Sequence, residues 1–589
     1  MREFFLKSIT VFLVVILSCR VYGQLSTGGI PPGFGPEPSR QSIGTVSFDP
    51  PNYAALRMED DSLSFMGVPE RMGVILPAGI NTANAGTWTD TGIEERIWRV
   101  NFKVKNATGL ALYFKDFEMA EGDRLFVYSE DRTHLIGAFT RLNNQNNMLF
   151  ATEVVKGESI ILEFVDSKNN DVESKFTISD ILVAYTPMTF EISRSVDNSF
   201  GNETSIENQA ENAIQNNRGQ NAILGDSDEC EVNVSCSEGD NWRDQINGVV
   251  RIMIRNGQTA YWCTGSIMNN TALDFTPYIL TADHCASSGG RYATPEDLSQ
   301  WVFYFRYDAV ACNEDSPYGT RSLTGAVKLA SSTPLGNDGS DFYLLRLNDA
   351  IPNSYSPYFL GWNALNELSN SGVCLHHPAG DVKKISTYVD PLEFSQWGDT
   401  PETHLMVRWA ETPNGHGVTE GGSSGAPLFN ASRLIMGQLT GGESDCTNLT
   451  GGDYFGRIFF SWDKNGNHDS LRLKPWLDPI NSGLRVLNGS YNTKVAIGQF
   501  VADQTVVPVG TYINYTLTWQ WHFEGGNPSS SDRQNPGEVY YDKLGTYDVL
   551  LVVSNDWGED SVLLENYIKV VPVVYPNPTR NNVIVLFGN

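Results

Sequence analysis

Short apolar and β-branched runs, separated by turn residues, recur along most of this chain and predict strands. Between about 95 and 190 they predict a β-sandwich of roughly a hundred residues. From about 228 to 485 the runs continue between many Gly turns, which is typical of a closed β-barrel. A third β-rich module is predicted from about 495 to 572. The runs of the first region are Ile97 to Val104, Arg124 to Tyr128, Ser159 to Val165 and Ile181 to Tyr185.

Two polar stretches separate these regions. Residues 24 to about 45 are rich in Gly, Pro and Ser, which indicates a flexible leader. Residues 195 to 228 are rich in Asn, Gln, Glu and Ser and carry few apolar side chains. This second stretch is predicted to be a disordered linker that is open to proteolysis.

The first residues predict export. Arg2 and Lys7 precede an apolar run from Ile9 to Leu17, which is too short to span a membrane. We expect a signal peptide over 1–23; a lipoprotein anchored at Cys19 is the alternative. No later stretch approaches the roughly 18 apolar residues of a spanning helix. The chain is therefore expected to be secreted and extracellular, either free or attached to the cell surface, with no membrane span.

Length and charge narrow the class of protein. The chain has 589 residues, too many for one hydrophobic core, and a net charge of −28. Such an acidic balance argues against nucleic acid as a partner, because phosphate binding needs a basic face. Several domains of a soluble exported protein are the expectation.

Cysteines are confined to one region. Apart from Cys19, all of them lie between Cys230 and Cys446, and their number, seven, is odd. Export and this clustering predict disulfides within a single domain and at least one unpaired thiol. Zinc is the competing interpretation, but no Cys-x-x-Cys pair is present.

Residues 463–469 alternate oxygen ligands as calcium loops do. However, Lys474 occupies the place of the bidentate carboxylate, so a polar surface turn is favoured. We expect no metal and no cofactor.

Three segments carry the residue types that peptide hydrolysis needs: a base, an orienting acid and a nucleophile. His284 ends an apolar run and is followed at once by Cys285. Asp341 precedes the apolar run 342–347. Ser424 lies in a Gly/Ser-rich turn, where the N–H groups of Gly422 and Ser424 are the candidate oxyanion hole.

Each segment has a plainer interpretation when taken alone. The histidine could lie by chance near a structural disulfide, the aspartate could cap a strand, and the Gly/Ser turn could be a linker. Strand character resumes at Leu428, however, which a linker would not do. The chain order His, Asp, Ser also differs from the orders of α/β-hydrolases and subtilisins. Together the segments predict a catalytic triad of His284, Asp341 and Ser424.

The block from Cys230 to about Pro479 resembles the lysyl endopeptidases, a branch of the chymotrypsin-like serine proteases. The resemblance implies a double β-barrel protease domain. It also implies the bridges Cys230–Cys446, Cys236–Cys312 and Cys263–Cys285, and leaves Cys374 unpaired in a buried strand. The matching segments beyond the triad are Cys230 to Asp240, Cys263 to Ser266, His376 to Pro378, Trp397-Gly398, Val418 to Glu420, Gly437 to Leu439 and Phe455 to Arg457.

Selection of Lys or Arg requires a carboxylate at the base of the primary pocket. Trypsin places it six residues before the serine, where this chain has Val418. The resemblance implies Asp453 instead, with Glu420 as a second candidate. A turn aspartate after two glycines is the plainer interpretation of Asp453.

Two further positions bear on the pocket. Trp397 matches a tryptophan that flanks the active site of lysyl endopeptidases. The histidine expected to stack with it is replaced by Thr440, which leaves the strictness of Lys selection open.

No lysine lies between Lys175 and Lys328. Release of the leader by cleavage in the linker therefore requires either another enzyme or acceptance of Arg.

The C-terminal region carries two weaker resemblances. Trp521 to Gly526 and Gly545 to Val549 resemble a PKD domain, a small immunoglobulin-like sandwich, although Glu524 replaces the first glycine of the usual Gly-Asp-Gly turn. Tyr575 to Thr579 resembles the opening of a type IX secretion sorting domain. Such domains are longer than the residues that follow here, so a truncated sequence and an export machinery as partner are expected.

The predicted fold class is all-β: a chymotrypsin-like double barrel between an N-terminal β-sandwich propeptide and a C-terminal PKD-like sandwich. The predicted function is a secreted endopeptidase that cleaves proteins or peptides after Lys, or after Arg. Glutamyl preference, a catalytically inactive adhesin, and binding of polysaccharide by the flanking sandwiches are the alternatives. The predicted segments are 1–23 signal peptide, 24–225 propeptide, 226–485 protease, 486–572 PKD-like domain and 573–589 start of a sorting domain.

Overall fold

The structure is a computed structural model. The predicted signal peptide, almost all of the predicted linker and most of 573–589 lie outside its described residues. The described residues are 26–35, 42–63, 71–91, 95–168, 172–186, 227–288, 290–314, 317, 320–332, 339–492, 518–533, 539–541, 543, 545–555, 558–570 and 583–585.

The N-terminal unit is a two-sheet β-sandwich. One sheet has the order β1-β4-β10-β6-β7, with β3 on β4, and the other contains β2-β11-β5-β8, with β9 on β5. The four predicted runs are confirmed as parts of β4, β6, β10 and β11. The elements are β1 Gly44–Phe48, α1 Tyr53–Leu63, β2 Arg71–Ile80, β3 Thr87–Asp90, β4 Glu95–Val104, β5 Gly109–Glu118, β6 Arg124–Ser129, β7 Leu135–Phe139, β8 Phe150–Ala151, β9 Val155–Lys156, β10 Ser159–Ser167 and β11 Lys175–Ala184.

The core of this sandwich is aromatic. Trp98, Phe114 and Phe176 are buried between the sheets, and their rings lie about 6 Å apart. The longest helix of the described ranges, α1, has 11 residues. No helix in those ranges is long and apolar enough to cross a membrane.

The segment predicted to be the protease, called the protease unit below, begins with a nearly closed barrel of order β18-β17-β12-β13-β14-β20-β19. Its strands are mostly buried and apolar, as expected for a barrel filled by side chains. The elements are α2 Arg243–Ile246, β12 Val249–Asn256, β13 Thr259–Met268, β14 Tyr278–Ala282, β15 Ser287–Ser288, β16 Arg291–Tyr292, α3 Pro295–Leu298, β17 Val302–Phe305, β18 Arg321–Thr324, β19 Ala326–Ser331 and β20 Phe342–Leu347.

A second sheet of order β24-β23-β27-β28-β29-β26-β25 completes the unit, and β22 pairs with β28. The predicted fold class is confirmed: the chain is all-β with a chymotrypsin-like double barrel. The elements are β21 Tyr358–Phe359, β22 Trp362–Asn363, β23 Gly372–His376, β24 Lys384–Tyr388, β25 Glu393–Ser395, β26 His404–Val407, β27 Pro427–Asn430, β28 Ile435–Gly442, β29 Asp453–Arg457, α4 Ile458–Asp463, α5 Lys474–Leu477, β30 Val486–Leu487 and β31 Ser490–Tyr491.

Three disulfides brace the protease unit. They join Cys230 to Cys446, Cys236 to Cys312 and Cys263 to Cys285, which are the pairs that the resemblance implies. Cys374 is free and fully buried in β23, where burial raises the pKa of its thiol well above the ordinary value. This thiol is a small apolar group of the core.

The C-terminal module consists of two small sheets, β34-β32-β36-β37 and β33-β35-β38, around buried aromatic and aliphatic side chains. β30 and β31, which follow the predicted boundary at 485, pair with β22 and β21 of the protease unit. The elements are β32 Thr518–Phe523, β33 Gly526–Asn527, β34 Ser530–Ser531, β35 Val539–Tyr541, β36 Gly545–Asn555, β37 Gly558–Val570 and β38 Val583–Val585.

One sheet runs through two units without a break. β13 pairs with β14 near its C-terminal end and with β2 of the N-terminal sandwich near its N-terminal end. The partners across β2 and β13 include Val74 with Thr259 and Gly73 with Ala260. The result is a 12-stranded sheet shared by the sandwich and the first barrel.

Candidate active site

Strand pairing places His284 and Asp341 at one end of the first barrel. β14 and β20 are antiparallel neighbours, and Ala282 at the end of β14 lies opposite Phe342 at the start of β20. The residues just beyond these ends therefore meet. The Asp283 N–H donates to the Asp341 carbonyl oxygen at 2.8 Å, which fixes the two loops together.

The His284 and Asp341 side chains are joined directly. The imidazole Nδ1–H donates to Asp341 Oδ2 at 2.7 Å, and the His284 backbone N–H donates to Oδ1 at 3.0 Å. Asp341 is fully buried and His284 is 7% exposed. Burial lowers the pKa of His284, but the adjacent Asp341 carboxylate outweighs this effect, so the net shift is upward. With its Nδ1 proton so held, the ring presents Nε2 as its basic atom.

Asp341 itself is held in an unfavourable backbone conformation. Its φ is +54°, in the left-handed region that non-glycine residues seldom adopt. The preceding residue, Ser340, is clamped on two sides. Gln438 Nε2 donates to its carbonyl oxygen at 2.6 Å, and Asn465 Nδ2 donates to its Oγ at 2.9 Å. The polar segment 463–469 thus supports the Asp341 loop.

The turn that carries Ser424 depends on glycines. Gly422 has φ of +87°, and a Cβ there would lie 2.8 Å from Gly380 N and 2.9 Å from His377 O. Gly425 has φ of +83°, and a Cβ there would collide with Thr281 Oγ1. Side chains at either position would force the turn away from its neighbours.

Ser424 lies against the loop that carries His284. Its carbonyl oxygen accepts from Thr264 N at 2.8 Å and lies 3.7 Å from Cys285 Sγ. The Cys263–Cys285 bridge therefore sits between the histidine loop and the serine turn. His284 Nε2 is buried and has no hydrogen-bond partner among the described residues, so no bond to the Ser424 hydroxyl is formed in this structure. Such bonds are often long in a free enzyme and tighten with substrate.

Two backbone N–H groups of the serine turn are available to donate hydrogen bonds. The Ser423 N–H donates to the Glu420 carbonyl oxygen, whereas the N–H groups of Gly422 and Ser424 have no acceptor in the described part of the chain. The turn is anchored from outside by Ala379 N, which donates to the Gly421 carbonyl oxygen at 2.6 Å. Two free N–H groups in the turn that carries a serine can stabilise an oxyanion.

Asp453 lies at the start of β29, fully buried. Its Oδ2 accepts from Trp409 Nε1 at 2.6 Å, Thr419 Oγ1 at 2.7 Å and Ser444 Oγ at 2.6 Å. Its Oδ1 accepts from Ser444 N at 3.2 Å. Burial raises the pKa of this carboxyl, while the three side-chain donors favour its charged form.

Trp397 and Thr440 lie near this acid. The Trp397 ring contacts Tyr454 edge to face, with centroids 5.6 Å apart. Thr440 Oγ1 shares a hydrogen bond of 2.9 Å with Nε2 of His404, a residue that the sequence analysis missed. Burial lowers the pKa of His404 to about 4, so the imidazole is neutral near pH 7.

Glu420 belongs to a different cluster from Asp453. Its Oε1 accepts from Asp228 N at 3.0 Å, and it is coupled to the fully buried Glu231. Burial raises the pKa of both carboxyls; the Glu420 charge adds to the rise at Glu231, whereas the hydrogen bond with Glu231 opposes the rise at Glu420. The cluster lies beneath the serine turn, where His376 Nδ1 shares a hydrogen bond of 2.8 Å with Ser423 Oγ.

Asp283 is a second carboxyl beside the candidate triad that the sequence analysis also missed. It is fully buried and accepts from Tyr292 OH at 2.8 Å. Burial, and after it the Asp341 carboxylate, raises its pKa to about 7. The other titratable groups that interact with it are His284, Lys328 and Tyr343. Its position next to His284 in the chain is the signal that could have identified it.

Asp283→Asn is expected to move the acid limb of the kcat/KM profile to lower pH. The charge that Asp283 gains near pH 7 raises the pKa of His284, and removal of that charge lets the imidazole stay neutral at lower pH. Because the folded carboxyl keeps its proton up to about pH 7, its cost to folding develops as pH rises from about 4 to 7. The variant should therefore gain stability over the wild type at pH 8 and not at pH 4. Profiles of kcat/KM and urea unfolding at both pH values measure this; an unmoved acid limb contradicts it.

Metal ligation finds no support within the described ranges. No group of three or more His, Cys, Asp or Glu side chains there is arranged to hold an ion. The chemistry available at this end of the barrel is that of a histidine–carboxylate pair, a serine and two backbone donors.

One family model and one curated protein match parts of the chain. Residues 224–456 match the family model "Lysyl endopeptidase, C-terminal domain", which covers less than half of the chain. Over 330 residues the chain is 22% identical to "Secreted RxLR effector protein 73" of Plasmopara viticola, covering 55% of this chain and 72% of that protein.

Solved structures of proteases also align with the chain. The Rv3671c protease of M. tuberculosis in its active form is 14% identical with a TM-score of 0.25, covering 37% of this chain and 80% of that one. The thermostable serine protease AL20 from an extremophilic microorganism is 15% identical with a TM-score of 0.28, covering 38% and 98%. The family match over 224–456 and the double-barrel fold support a serine protease.

Proposed function

We propose that this protein is a secreted endopeptidase that hydrolyses peptide bonds after lysine through His284, Asp341 and Ser424. The observation that carries the proposal is the 2.7 Å hydrogen bond between His284 Nδ1 and Asp341 Oδ2, at the end of two paired strands and beside the serine turn. A buried carboxylate bound to Nδ1 makes Nε2 the proton acceptor that a serine nucleophile requires.

The proposed reaction has two halves. Ser424 Oγ attacks the scissile carbonyl carbon while its proton passes to His284 Nε2, and the N–H groups of Gly422 and Ser424 hold the oxyanion. Collapse of the tetrahedral intermediate releases the amine, which takes the proton from Nε2. Water then attacks the acyl-enzyme with His284 again as base, which frees the acid product and restores the serine.

Hydrogen-bond capacity at Asp453 favours lysine over arginine. Oδ2 already accepts three hydrogen bonds, whereas Oδ1 accepts one, from Ser444 N. Each carboxylate oxygen offers about two acceptor sites, so Oδ2 is saturated while Oδ1 keeps one, and a guanidinium fork that needs both oxygens is poorly matched. An ammonium is a compact donor that can bind Oδ1 alone. A neutral His404 adds no positive charge to oppose it.

The proposed activity also suggests a role for each of the other segments of the chain. Residues 1–23 would be a signal peptide and 24–225 a propeptide, followed by the protease domain. The PKD-like module would act as a spacer or adhesion unit, and 573–589 as the start of a sorting domain read by an export machinery. Disulfides confined to the protease unit agree with an extracellular protein.

Cleavage of a peptide set that differs only at the residue before the scissile bond tests the proposal. We expect kcat/KM for Lys to exceed that for Arg by at least about tenfold and that for Glu by about 10³-fold or more. A serine-directed phosphonate should label the wild type and not Ser424→Ala. A labelled enzyme that prefers Glu would keep the protease and remove Asp453 from the pocket; absence of both labelling and cleavage would contradict the function.

A further inference from the structure

The N-terminal sandwich and the first barrel share one hydrophobic core. Met72, Tyr113 and Leu182 of the sandwich belong to the same buried cluster as Trp262 and Tyr304 of the protease unit. Each of these side chains is 3% exposed or less. Interfaces of this composition resemble a domain core cut in half, as in permanent complexes, rather than the polar contacts of transient ones.

Backbone pairing reinforces this contact. β2 adds to the edge of β13 as an antiparallel strand, and Ile75 N donates to the Gln258 carbonyl oxygen at 2.9 Å. Removal of the sandwich would leave the N-terminal end of β13 as an open edge above an apolar surface. Open edges of this kind are prone to aggregation.

Buried polar contacts are completed across the same interface. Arg255 Nη2 bonds Asp180 Oδ2 at 3.0 Å, and the guanidinium lies 4.5 Å from the ring centre of Tyr113. Gln300 Nε2 donates to the carbonyl oxygens of Phe114 at 3.0 Å and Phe150 at 3.2 Å. Loss of the sandwich would remove these contacts and leave Arg255 with Gln300 and Asp297 of its own unit, and such losses are costly for buried polar groups.

We propose that the N-terminal sandwich, residues 44–186, stays bound to the protease unit as a non-covalent subunit after the chain is cut in the polar linker 195–226. This inference rests on the proposed division of the chain at that linker. No cysteine lies between Cys19 and Cys230, so no disulfide ties the two pieces together. The shared sheet, core and polar contacts are what hold them.

An engineered cleavage site tests whether the sandwich stays bound to the protease unit, without relying on cleavage by the enzyme itself. The recognition sequence of a site-specific protease is inserted near 205 of the full chain carrying Ser424→Ala, and the chain is cut to completion. Size exclusion and native mass spectrometry at low micromolar concentration should show one species containing both pieces. Two separate species would overturn the proposal.

Paired variants locate the contact. Combined Arg255→Ala and Gln300→Ala in the cut chain should raise the dissociation constant of the pieces at least about tenfold. Arg408→Ala removes an exposed ion pair with Glu393 inside the protease unit and should leave it unchanged. Equal binding by both variants would overturn the assignment of this interface.

The wild-type chain, cut in the same way, separates the two proposals. Cleavage of the lysine peptide by pieces that have come apart would overturn retention and keep the endopeptidase function. Joined pieces without any cleavage would overturn the function and keep retention.

Discussion

Asparagine in place of Asp341 is expected to lower kcat on a lysine peptide by about four orders of magnitude, with KM changed little. The carboxylate accepts both the Nδ1–H and the backbone N–H of His284. An amide carries no charge to stabilise the imidazolium, and its NH₂ group favours the wrong tautomer of the ring. Steady-state kinetics, normalised by active-site titration, measure the loss.

A surface aspartate provides the matched control. Asp469 pairs with Arg472, and its side chain is 59% exposed. Asp469→Asn should retain kcat within about twofold, since exposed ion pairs contribute little. A loss of less than about tenfold for Asp341→Asn, in folded protein, would mean that Asp341 is not the orienting acid.

Asp453→Asn is expected to lower kcat/KM for lysine substrates by about 10³-fold or more. The substitution removes the only charge that the proposal assigns to the pocket floor and gives the Trp409, Thr419 and Ser444 donors a poorer acceptor. Acylation by a small nitrophenyl ester, which does not reach this acid, should change by only a few-fold. The ratio of the two rates separates a pocket effect from a general loss of the active site.

Glu420 supplies the comparison for this variant. Its carboxyl accepts from Asp228 N and lies beside Glu231, and it receives none of the hydrogen bonds that bind Asp453. Glu420→Gln should preserve the preference for lysine over neutral side chains. If Glu420→Gln abolishes that preference and Asp453→Asn does not, the two acids have been assigned the wrong way round.

Local patterns predicted the fold class, and they also placed His284 and Asp341 at strand ends. Apolar runs that end at His284 and begin after Asp341 are strand signals, and antiparallel pairing of β14 with β20 brings their ends together. The Gly-rich surroundings of Ser424 likewise predicted a turn, and φ values above +80° at Gly422 and Gly425 explain them.

Contacts between segments that lie far apart in the chain could not be predicted from the sequence. The pairing of β2 with β13 joins residues almost two hundred positions apart, and no local period specifies such a partner. The burial of Asp283 and the coupling of Glu231 to Glu420 depend on which loops cover them. The bond from His404 to Thr440 depends in the same way on the register between two strands.

The long disulfide has a consequence for self-digestion. An enzyme that prefers lysine finds only Lys328, Lys383 and Lys384 between Cys230 and Cys446 in its own chain. Lys383 and Lys384 are buried, so Lys328 on the exposed side of β19 is the accessible one. Because Cys230 and Cys446 are bonded across 216 residues, both fragments of a chain nicked there stay covalently attached. Enzyme cut at Lys328 alone would migrate as one band on a denaturing gel until a reductant separated the fragments.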